Sequence, residues 1–237
     1  MIDKKILYND TIGCVEYVQH MGDDLTIVNA ARVSFGVEKD EVDGRDRKLI
    51  RYLVKNRHTS TLEHNVVTFR FTVPLFVRGQ HHRHRTWSYN EISRRYTDKD
   101  LKFYEPDSFR TQHKTNRQAS NEDELINPTI KIYSPVSPQP FSFSASDVVK
   151  NHHKDAIKLF DELLAAGICR EQARGLLPQN LYTQYYGTVN LNNLIKFINL
   201  RDDDHAQWEI QKVAQACKEI ATELWPVAME TYNELKK

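Results

Sequence analysis

The amino-acid sequence predicts an α+β fold, in which helices pack against a largely antiparallel sheet. Three observations support this prediction. One segment has the two-residue alternation of a half-buried strand, several later segments have helical spacing of apolar residues, and the two kinds of segment do not alternate regularly as parallel βαβ units would. A chain of 237 residues can bury one substantial core, so we expect residues 1–237 to form a single domain.

Residues 66–73 form the clearest predicted strand. Its apolar side chains share one face, at Val67, Phe69, Phe71 and Val73. Pro74 ends the strand and suits the first turn of a helix. We therefore expect a short helix from about residue 74 into the cluster of histidines and arginines that follows, and an extended loop after that helix.

The segment from 105 to 140 is polar and rich in Asn, Gln, Ser and Pro. Ser-Pro or Gln-Pro pairs at 134–135, 137–138 and 139–140 favour turns or extended chain. We expect a long loop or lid here. Within it, residues 116–127 have the composition of a disordered surface insertion.

The second half of the chain is predicted to be mainly helical. A helix should begin near Ser146 and end near Gly167, and a second, short helix should carry Arg174 before Pro178. Enrichment in Tyr and Thr predicts a strand at residues 181–189.

A helix capped by Asn190 should follow that strand, and the last predicted helix is long. Asp204 and Gln207 resemble a capping box at the start of the last helix. Its apolar residues form one helical stripe, at Ile210, Val213, Ala214, Cys217, Ile220, Ala221 and Leu224. This stripe predicts a long C-terminal helix with one buried face.

The overall charge is nearly balanced, with 33 basic and 32 acidic side chains. A general nucleic-acid binder normally has a clear basic excess, so we expect no nucleic-acid partner.

The cysteines Cys14, Cys169 and Cys217 are far apart and lack CxxC spacing, which is typical of reduced thiols in the cytoplasm. No apolar run has the length of a membrane span or the pattern of a secretory leader, so we expect a soluble, untargeted cytoplasmic protein.

Positive charge is concentrated between Arg83 and Arg95. This segment, RHRTWSYNEISRR, contains four arginines against one glutamate, whereas the whole chain has a net charge of only +1. A guanidinium stays protonated and offers a planar fork that matches phosphate oxygens. Neighbouring serine, asparagine and glutamate side chains suit a sugar. The segment favours nucleotide binding, with a solvated basic turn as the alternative.

Other common sites are absent or weak in the sequence. The eight glycines form no GxG pair, so neither the Rossmann fingerprint nor a Walker A loop is present. The cluster of His81, His82 and His84 lacks the spacing of a metal site, and we expect no metal. Cys217 falls on the apolar stripe, and Cys169 at a helix start is only a weak candidate nucleophile.

The order of residues in the basic segment is more specific than its composition. Every fixed position of the motif RHRxxSxNExSxR is filled, by Arg83, His84, Arg85, Ser88, Asn90, Glu91, Ser93 and Arg95. The sequence thereby resembles the flavin-dependent thymidylate synthases. The resemblance covers most of the chain, from residues 30–34 through His58 and Glu63-His64 to Arg174 and residues 199–209.

The resemblance implies an enzyme that transfers a methylene group from methylenetetrahydrofolate to deoxyuridylate (dUMP) and reduces it to a methyl group. FAD would be the cofactor, NADPH would reduce the flavin, and no cysteine nucleophile would be needed. It also implies a homotetramer with shared active sites. The alternative is a non-enzymatic protein that binds RNA or nucleotides, with Trp87, Tyr89 and Tyr96 stacking on bases.

The same resemblance assigns residues to the nucleotide. The positions that match dUMP-binding residues are Gln80, Arg83, Glu91, Ser93, Arg94, Arg95, Arg174 and Arg201. Arg201 matches the arginine that faces the uracil ring, where a fixed cation would stabilise developing negative charge, and it is the expected catalytic residue. An ion pair with Asp202, Asp203 or Asp204 is the alternative role for Arg201.

The resemblance also assigns residues to FAD. The matching positions are Ser34, His58, Ser60, Arg83, His84, Arg85, Glu91, Asn190, Asn192 and Lys196. The chain departs from the usual family residues at three places. Asn192 replaces a common arginine, Lys196 replaces asparagine or histidine, and residues 61–62 replace a proline-phenylalanine pair. For His58 and Asn190, capping of a turn is the alternative.

Overall fold

The computed structural model describes residues 4–133 and 139–235. Its strands are β1 Lys5–Ile6, β2 Cys14–Met21, β3 Val66–Pro74, β4 Ser88–Glu91, β5 Phe109–Gln112, β6 Ser120–Ile126, β7 Thr129–Ile132, β8 Phe141–Ser144 and β9 Tyr182–Asn190. Its helices are α1 Asp24–Arg32, α2 Gly44–Lys55, α3 Leu75–His81, α4 Ala145–Ala165, α5 Arg170–Ala173, α6 Leu191–Arg201, α7 Trp208–Leu224 and α8 Pro226–Leu235. Short 3-10 turns lie at Val33–Phe35, Thr59–Leu62 and Arg174–Leu176.

Five strands form one antiparallel sheet in the order β1-β2-β3-β9-β4. One cluster of buried side chains joins β3 and β9 to α1, α2 and the helices α6, α7 and α8. The α+β class and the antiparallel sheet predicted from the sequence are therefore confirmed. None of the helices in the described ranges is long and apolar enough to cross a membrane.

The predicted strand and helix on either side of Pro74 are both present. β3 ends at Pro74, and the same residue is the N-cap of α3. The predicted extended loop after α3 is wrong for residues 88–91, which form the edge strand β4. In its pairing with β9, Glu91 lies opposite Tyr185. Polar residues can form an edge strand because only one side of the strand needs a partner.

The prediction of a loop at 105–140 is wrong for parts of this segment. β5 pairs with β6, and β7 pairs with β8, as two antiparallel ribbons. Residues 116–127, predicted to be disordered, contain β6, in which the Asn121 amide donates to the hydroxyl of Thr111 at 2.8 Å. Hydrogen bonds between polar side chains of paired strands stabilise this ribbon. Because they do not require alternating apolar residues, the sequence shows no strand pattern here. The predicted turn residues 134–138 lie outside the described residues.

The helices predicted in the second half of the chain are present, except that the short helix α5 ends at Ala173 and Arg174 lies in the 3-10 turn that follows it. Asn190 caps α6 by accepting the backbone N–H of Asn193 at 2.9 Å. α7 buries every residue of the predicted apolar stripe, including Cys217. The predicted capping box is wrong, because α7 begins at Trp208 with Gln207 as its N-cap, and Asp204 lies before it.

The last helix, α8, was not predicted as a separate element. The backbone of Trp225 is non-helical at φ −132°, so α7 ends and α8 begins at Pro226. Asp24, at the start of α1, accepts the N–H groups of Val227 at 2.8 Å and Ala228 at 3.1 Å. A carboxylate from a distant helix thus satisfies the free N–H groups at the start of α8. Burial raises the pKa of Asp24.

Candidate active site

A cavity of about 480 Å³ lies at the edge of the main sheet, beside β4; we call it the sheet-edge cavity. Its walls come from α3, from β4 and the turn after it, from the segment after α5, and from the start of β9. It is lined by Leu75, Arg78, Glu91, Ile92, Ser93, Arg94, Arg174, Gly175, Leu177, Leu181 and Thr183. The fold therefore brings together four of the predicted nucleotide-binding residues, namely Glu91, Ser93, Arg94 and Arg174.

Arg78 holds the carboxylate of Glu91 in the wall of this cavity. Nε of Arg78 lies 3.0 Å from Oε1 and 2.9 Å from Oε2 of Glu91, and Nη2 lies 2.8 Å from Oε2. The hydroxyl of Thr183 donates to Oε1 at 2.6 Å. Neither Arg78 nor Thr183 was among the residues predicted from the sequence. The one available signal was the location of Arg78 on the short helix that leads into the motif.

The other two arginines of the cavity differ in their surroundings. Arg94 donates to the backbone carbonyls of Lys99 at 2.7 Å and Tyr182 at 3.4 Å, and burial lowers its pKa. Arg174 is exposed and forms no ion pair with any residue that the structure describes. Arg174 is therefore available to an anionic ligand, whereas the backbone already engages Arg94.

The other four predicted nucleotide-binding residues, which include Arg201, lie outside the sheet-edge cavity. Arg95 is exposed, with Nη2 3.7 Å from Glu171. The side chain of Gln80 contacts that of Gln207. Arg83 is exposed on the turn after α3, and its side chain has no hydrogen bond or ion pair within the described ranges.

Arg201, the last residue of α6, contacts the turn that follows α3. Its Nε donates to Nε2 of His84 at 3.1 Å, and its Nη2 donates to the carbonyl of Gln80 at 3.4 Å. Burial, followed by the charge of Arg201, lowers the pKa of His84 to about 4. The ring is therefore neutral at pH 7, and Nε2 can accept the hydrogen bond. Asp202, one of the alternative partners, lies 3.0 Å from Lys218.

The aromatic residues of the motif are mostly packed inside the protein. Trp87 is only 6% exposed, and Tyr89 stacks on His82 with ring centroids 4.1 Å apart. Tyr96 is 82% exposed. Trp87 and Tyr89 thus pack against other residues of the protein and are not free to stack on bases. This argues against the alternative of RNA binding, which uses all three rings.

The histidines before the motif have structural contacts. His81 is fully buried, and its Nδ1 lies 2.8 Å from the hydroxyl of Tyr185. Burial, with smaller effects from nearby positive groups, lowers the pKa of His81 well below the ordinary value.

Within residues 4–133 and 139–235, no group of three or more His, Cys, Asp or Glu side chains is arranged to hold a metal ion.

A second cavity, of about 590 Å³, lies between α2, α6 and α8; we call it the helix cavity. It is lined by Leu53, Val54, Lys55, Arg57, Thr59, Leu62, Asn192, Ile195, Lys196, Asn199, Tyr232 and Leu235. Two predicted flavin residues, Asn192 and Lys196, lie in it. Lys55 and Arg57 add two cations that sequence analysis did not single out. Cations and amides beside an apolar wall suit an anionic dinucleotide such as FAD.

The remaining predicted flavin residues do not line the helix cavity of the single chain. His58 and Ser60 flank Thr59, which does line it. Ser34 is exposed and donates to the carbonyl of Ala31 at 3.0 Å. Asn190 caps α6, as its alternative role predicted, and Arg85 is exposed on the turn after α3.

Together, the fold and the two cavities define a class of protein: an α+β protein with an arginine-lined cleft at a sheet edge and a separate cationic cavity. Both features are suited to nucleotides. Comparison with known proteins identifies the family within that class. The family model described as thymidylate synthase complementing protein matches residues 16–227.

Individual relatives agree with the family match. Flavin-dependent thymidylate synthases from Thermus thermophilus and Thermotoga neapolitana are each 41% identical to this chain, over 94% and 93% of its length and over 76% and 90% of theirs. The crystal structure of the UMP/dUMP methylase PolB from Streptomyces cacaoi, bound with 5-Br dUMP, has a TM-score of 0.75 at 33% identity, covering 93% of this chain and 94% of that chain. The chain therefore belongs to the flavin-dependent thymidylate synthase family and is an enzyme.

Proposed function

We propose that this enzyme transfers a one-carbon unit to C5 of dUMP and so forms thymidylate. The observation that carries the proposal is the sheet-edge cavity, in which Arg174, Ser93 and the Glu91 carboxylate converge. A nucleoside monophosphate near pH 7 carries a charge of about −1.5 to −2, which Arg174 suits, while a carboxylate and a hydroxyl suit a sugar. The solved relatives bound to brominated dUMP and UMP support this class of ligand.

Arg201 is the proposed catalytic residue. A fixed guanidinium facing the pyrimidine would stabilise negative charge that develops on its carbonyl oxygen as C5 becomes nucleophilic. The two bonds from Arg201 to His84 and to the Gln80 carbonyl support this role, because they hold the cation in one orientation before substrate binds. Gln80, Arg83, Arg94 and Arg95 remain proposed dUMP-binding residues.

FAD is the proposed cofactor, with methylenetetrahydrofolate as carbon donor and NADPH as reductant. When bound, FAD supplies the hydride that completes the methyl group. Asn192 and Lys196, in the helix cavity, would hold part of it. The other proposed contacts come from Ser34, His58, Ser60, Arg83, His84, Arg85, Glu91 and Asn190. Neither buried cysteine, Cys14 or Cys217, lines the sheet-edge cavity or the helix cavity, which supports chemistry without a thiol nucleophile.

A homotetramer with shared sites completes the proposal. Val33 and Phe35, on either side of Ser34, are 73% and 83% exposed. Large apolar side chains at such exposure favour contact with another subunit. In a single chain, Ser34 lines neither cavity. A contact between subunits at this surface would place Ser34 in a flavin site that two subunits share. A cytoplasmic location fits nucleotide synthesis.

The test is a two-step assay on the purified protein. The proposal expects flavin absorption that bleaches with NADPH under anaerobic conditions. It then expects thymidylate to form when dUMP and methylenetetrahydrofolate are added, with UMP assayed in parallel. A protein that carries reduced flavin yet forms no thymidylate from dUMP would refute the proposal, whether or not it methylates UMP.

A further inference from the structure

Helix α2 ends in a hydrogen-bonded motif whose left-handed position is occupied by an arginine. The N–H of Arg57 donates to the carbonyl of Val54 at 3.2 Å, and the N–H of His58 donates to that of Leu53 at 2.9 Å. These are the two bonds of a Schellman motif, which usually places glycine at the left-handed residue. Arg57 has φ +57°, a conformation that a residue with a Cβ seldom adopts.

The end of α4 provides a comparison within the same chain. There the N–H of Gly167 donates to Leu164 and the N–H of Ile168 donates to Leu163, both at 3.0 Å. Gly167, at φ +88°, occupies the position that corresponds to Arg57. The same backbone motif is therefore built with glycine at one helix and with a long cationic side chain at the other. A non-glycine residue in this position, beside a glycine in the equivalent one, motivates the hypothesis that its side chain has a function.

The Arg57 side chain lines the helix cavity together with Lys55 and Lys196. No acidic residue lines this cavity, and none of the three cations forms an ion pair with any described residue. The acids close by are already engaged: Glu63 accepts from Asn192 at 2.8 Å, and Glu234 pairs with Arg51. Three neighbouring cations without a counter-charge favour an anionic ligand.

We infer that Arg57 binds the diphosphate of FAD in the helix cavity, with Lys55 and Lys196 as supporting cations. The inference rests on the proposed flavin dependence and adds Arg57 and Lys55, which the family resemblance did not assign. A diphosphate requires more than one cation, and the planar fork of a guanidinium matches its oxygens. The apolar wall formed by Ile195 and Tyr232 suits the aromatic part of a dinucleotide beside that charge.

The test uses Arg57→Gly, which removes the cation and the backbone strain together. Dissociation of FAD from the full-length protein is measured by flavin fluorescence on dilution, and the Tm of the flavin-free chain is measured in parallel. We expect FAD affinity to fall about ten- to a hundred-fold while the Tm is not lowered, since glycine adopts φ +57° without strain. The decrease of FAD affinity with added salt should also become weaker in the variant.

Arg45→Gln is the matched control, because it removes the same charge from the first turn of α2, outside the cavity. Its FAD affinity should equal that of the parent. Arg57→Asn, which tolerates a left-handed backbone, should behave as Arg57→Gly does. If the parent binds FAD and Arg57→Gly binds it equally well, the inference about Arg57 is refuted and the proposed function stands. If the parent itself fails to bind FAD, both are refuted.

Discussion

Arg201 donates its Nε hydrogen to Nε2 of His84 across 3.1 Å. Together with the bond from Nη2 to the Gln80 carbonyl, this contact attaches the end of α6 to the turn after α3. Burial lowers the pKa of Arg201, yet a guanidinium remains charged at any physiological pH. His84 of the basic motif thus orients the guanidinium of Arg201, which lies more than a hundred residues further along the chain.

Replacing Arg201 should affect the pyrimidine chemistry and spare flavin reduction. A preorganised charge directed at developing negative charge is typically worth about 2.7 to 4 kcal/mol, so Arg201→Ala should slow thymidylate formation about a hundred- to a thousand-fold. Arg201→Lys should recover only part of the rate, because an ammonium lacks the planar fork. Single-turnover thymidylate formation is compared with anaerobic flavin reduction by NADPH. Parent rates of thymidylate formation in both variants would remove Arg201 from the mechanism.

His84 should make the stability of the protein depend on pH in one direction. Its folded-state pKa of about 4 lies below the ordinary value of 6.5, so the folded protein binds fewer protons. The stability due to the neutral ring is present above about pH 6.5 and is lost as the pH falls towards about 4.

The variant His84→Gln keeps an acceptor for Arg201 and does not titrate. Urea unfolding at pH 7 and pH 5 should show a smaller loss of unfolding free energy in His84→Gln than in the parent. The neighbouring His81 and His82 are present in both proteins, and burial is the main cause of the lowered pKa of each, so most of their contribution cancels in the comparison. Equal losses in the two proteins would show that His84 is not held neutral.

Arg78 is predicted to position Glu91 for the nucleotide. Removing it in Arg78→Gln should raise the KM for dUMP about ten-fold, because a partly exposed, bidentate ion pair is lost from the cavity wall. Arg70→Gln is the matched control, since Arg70 holds Glu16 in a similar bidentate pair, at 2.9 and 2.6 Å, outside the sheet-edge cavity. A KM change of the same size in both variants would indicate a general effect on the sheet.

Arg174 is predicted to bind the phosphate of dUMP. Loss of a charge-assisted hydrogen bond costs about 1.5 to 3 kcal/mol, so Arg174→Ala should weaken dUMP binding by about one to two decades. Arg170→Ala is its control, because Arg170 lies one helical turn earlier and pairs with Asp98 at 2.7 Å. Equilibrium dialysis with dUMP measures both. Normal affinity in Arg174→Ala would place the phosphate elsewhere.

Turnover should not depend on a thiol. Cys169 is exposed, whereas Cys14 and Cys217 are buried, and burial raises the pKa of both buried thiols. Iodoacetamide should therefore label Cys169 first in the native protein and leave thymidylate formation unchanged. Cys169→Ala, which cannot react at that position, serves as the reference. Inactivation of a folded Cys169→Ala protein would instead indicate a covalent mechanism.

Several features of the fold could be predicted from the sequence because they depend on residues close together in the chain. The alternation that ends at Pro74 predicted β3, and the spacing from Ile210 to Leu224 predicted α7. The prediction of a capping box at Asp204 was wrong because it depended on a pattern of only four residues. Such a short pattern does not reveal whether the backbone between its first and last residues is helical.

The candidate site could be predicted in part. The order of residues in the motif indicated the family, and the resemblance named Glu91, Ser93, Arg94 and Arg174, which the fold gathers in one cavity. It did not identify Arg78 or Thr183. Thr183 reaches Glu91 because β4 lies beside β9, a pairing between segments about 90 residues apart.

The sequence by itself determined the α+β class, the main strands and helices, and the family, because periodicity and motif order are written in neighbouring residues. The tertiary structure alone decided which charges meet. Asp24 caps α8 across 203 residues, and Lys55 and Arg57 line one cavity with Lys196 only because α2 and α6 border it together. Contacts between distant residues depend on how whole elements pack, and the local pattern of the chain carries no record of that packing.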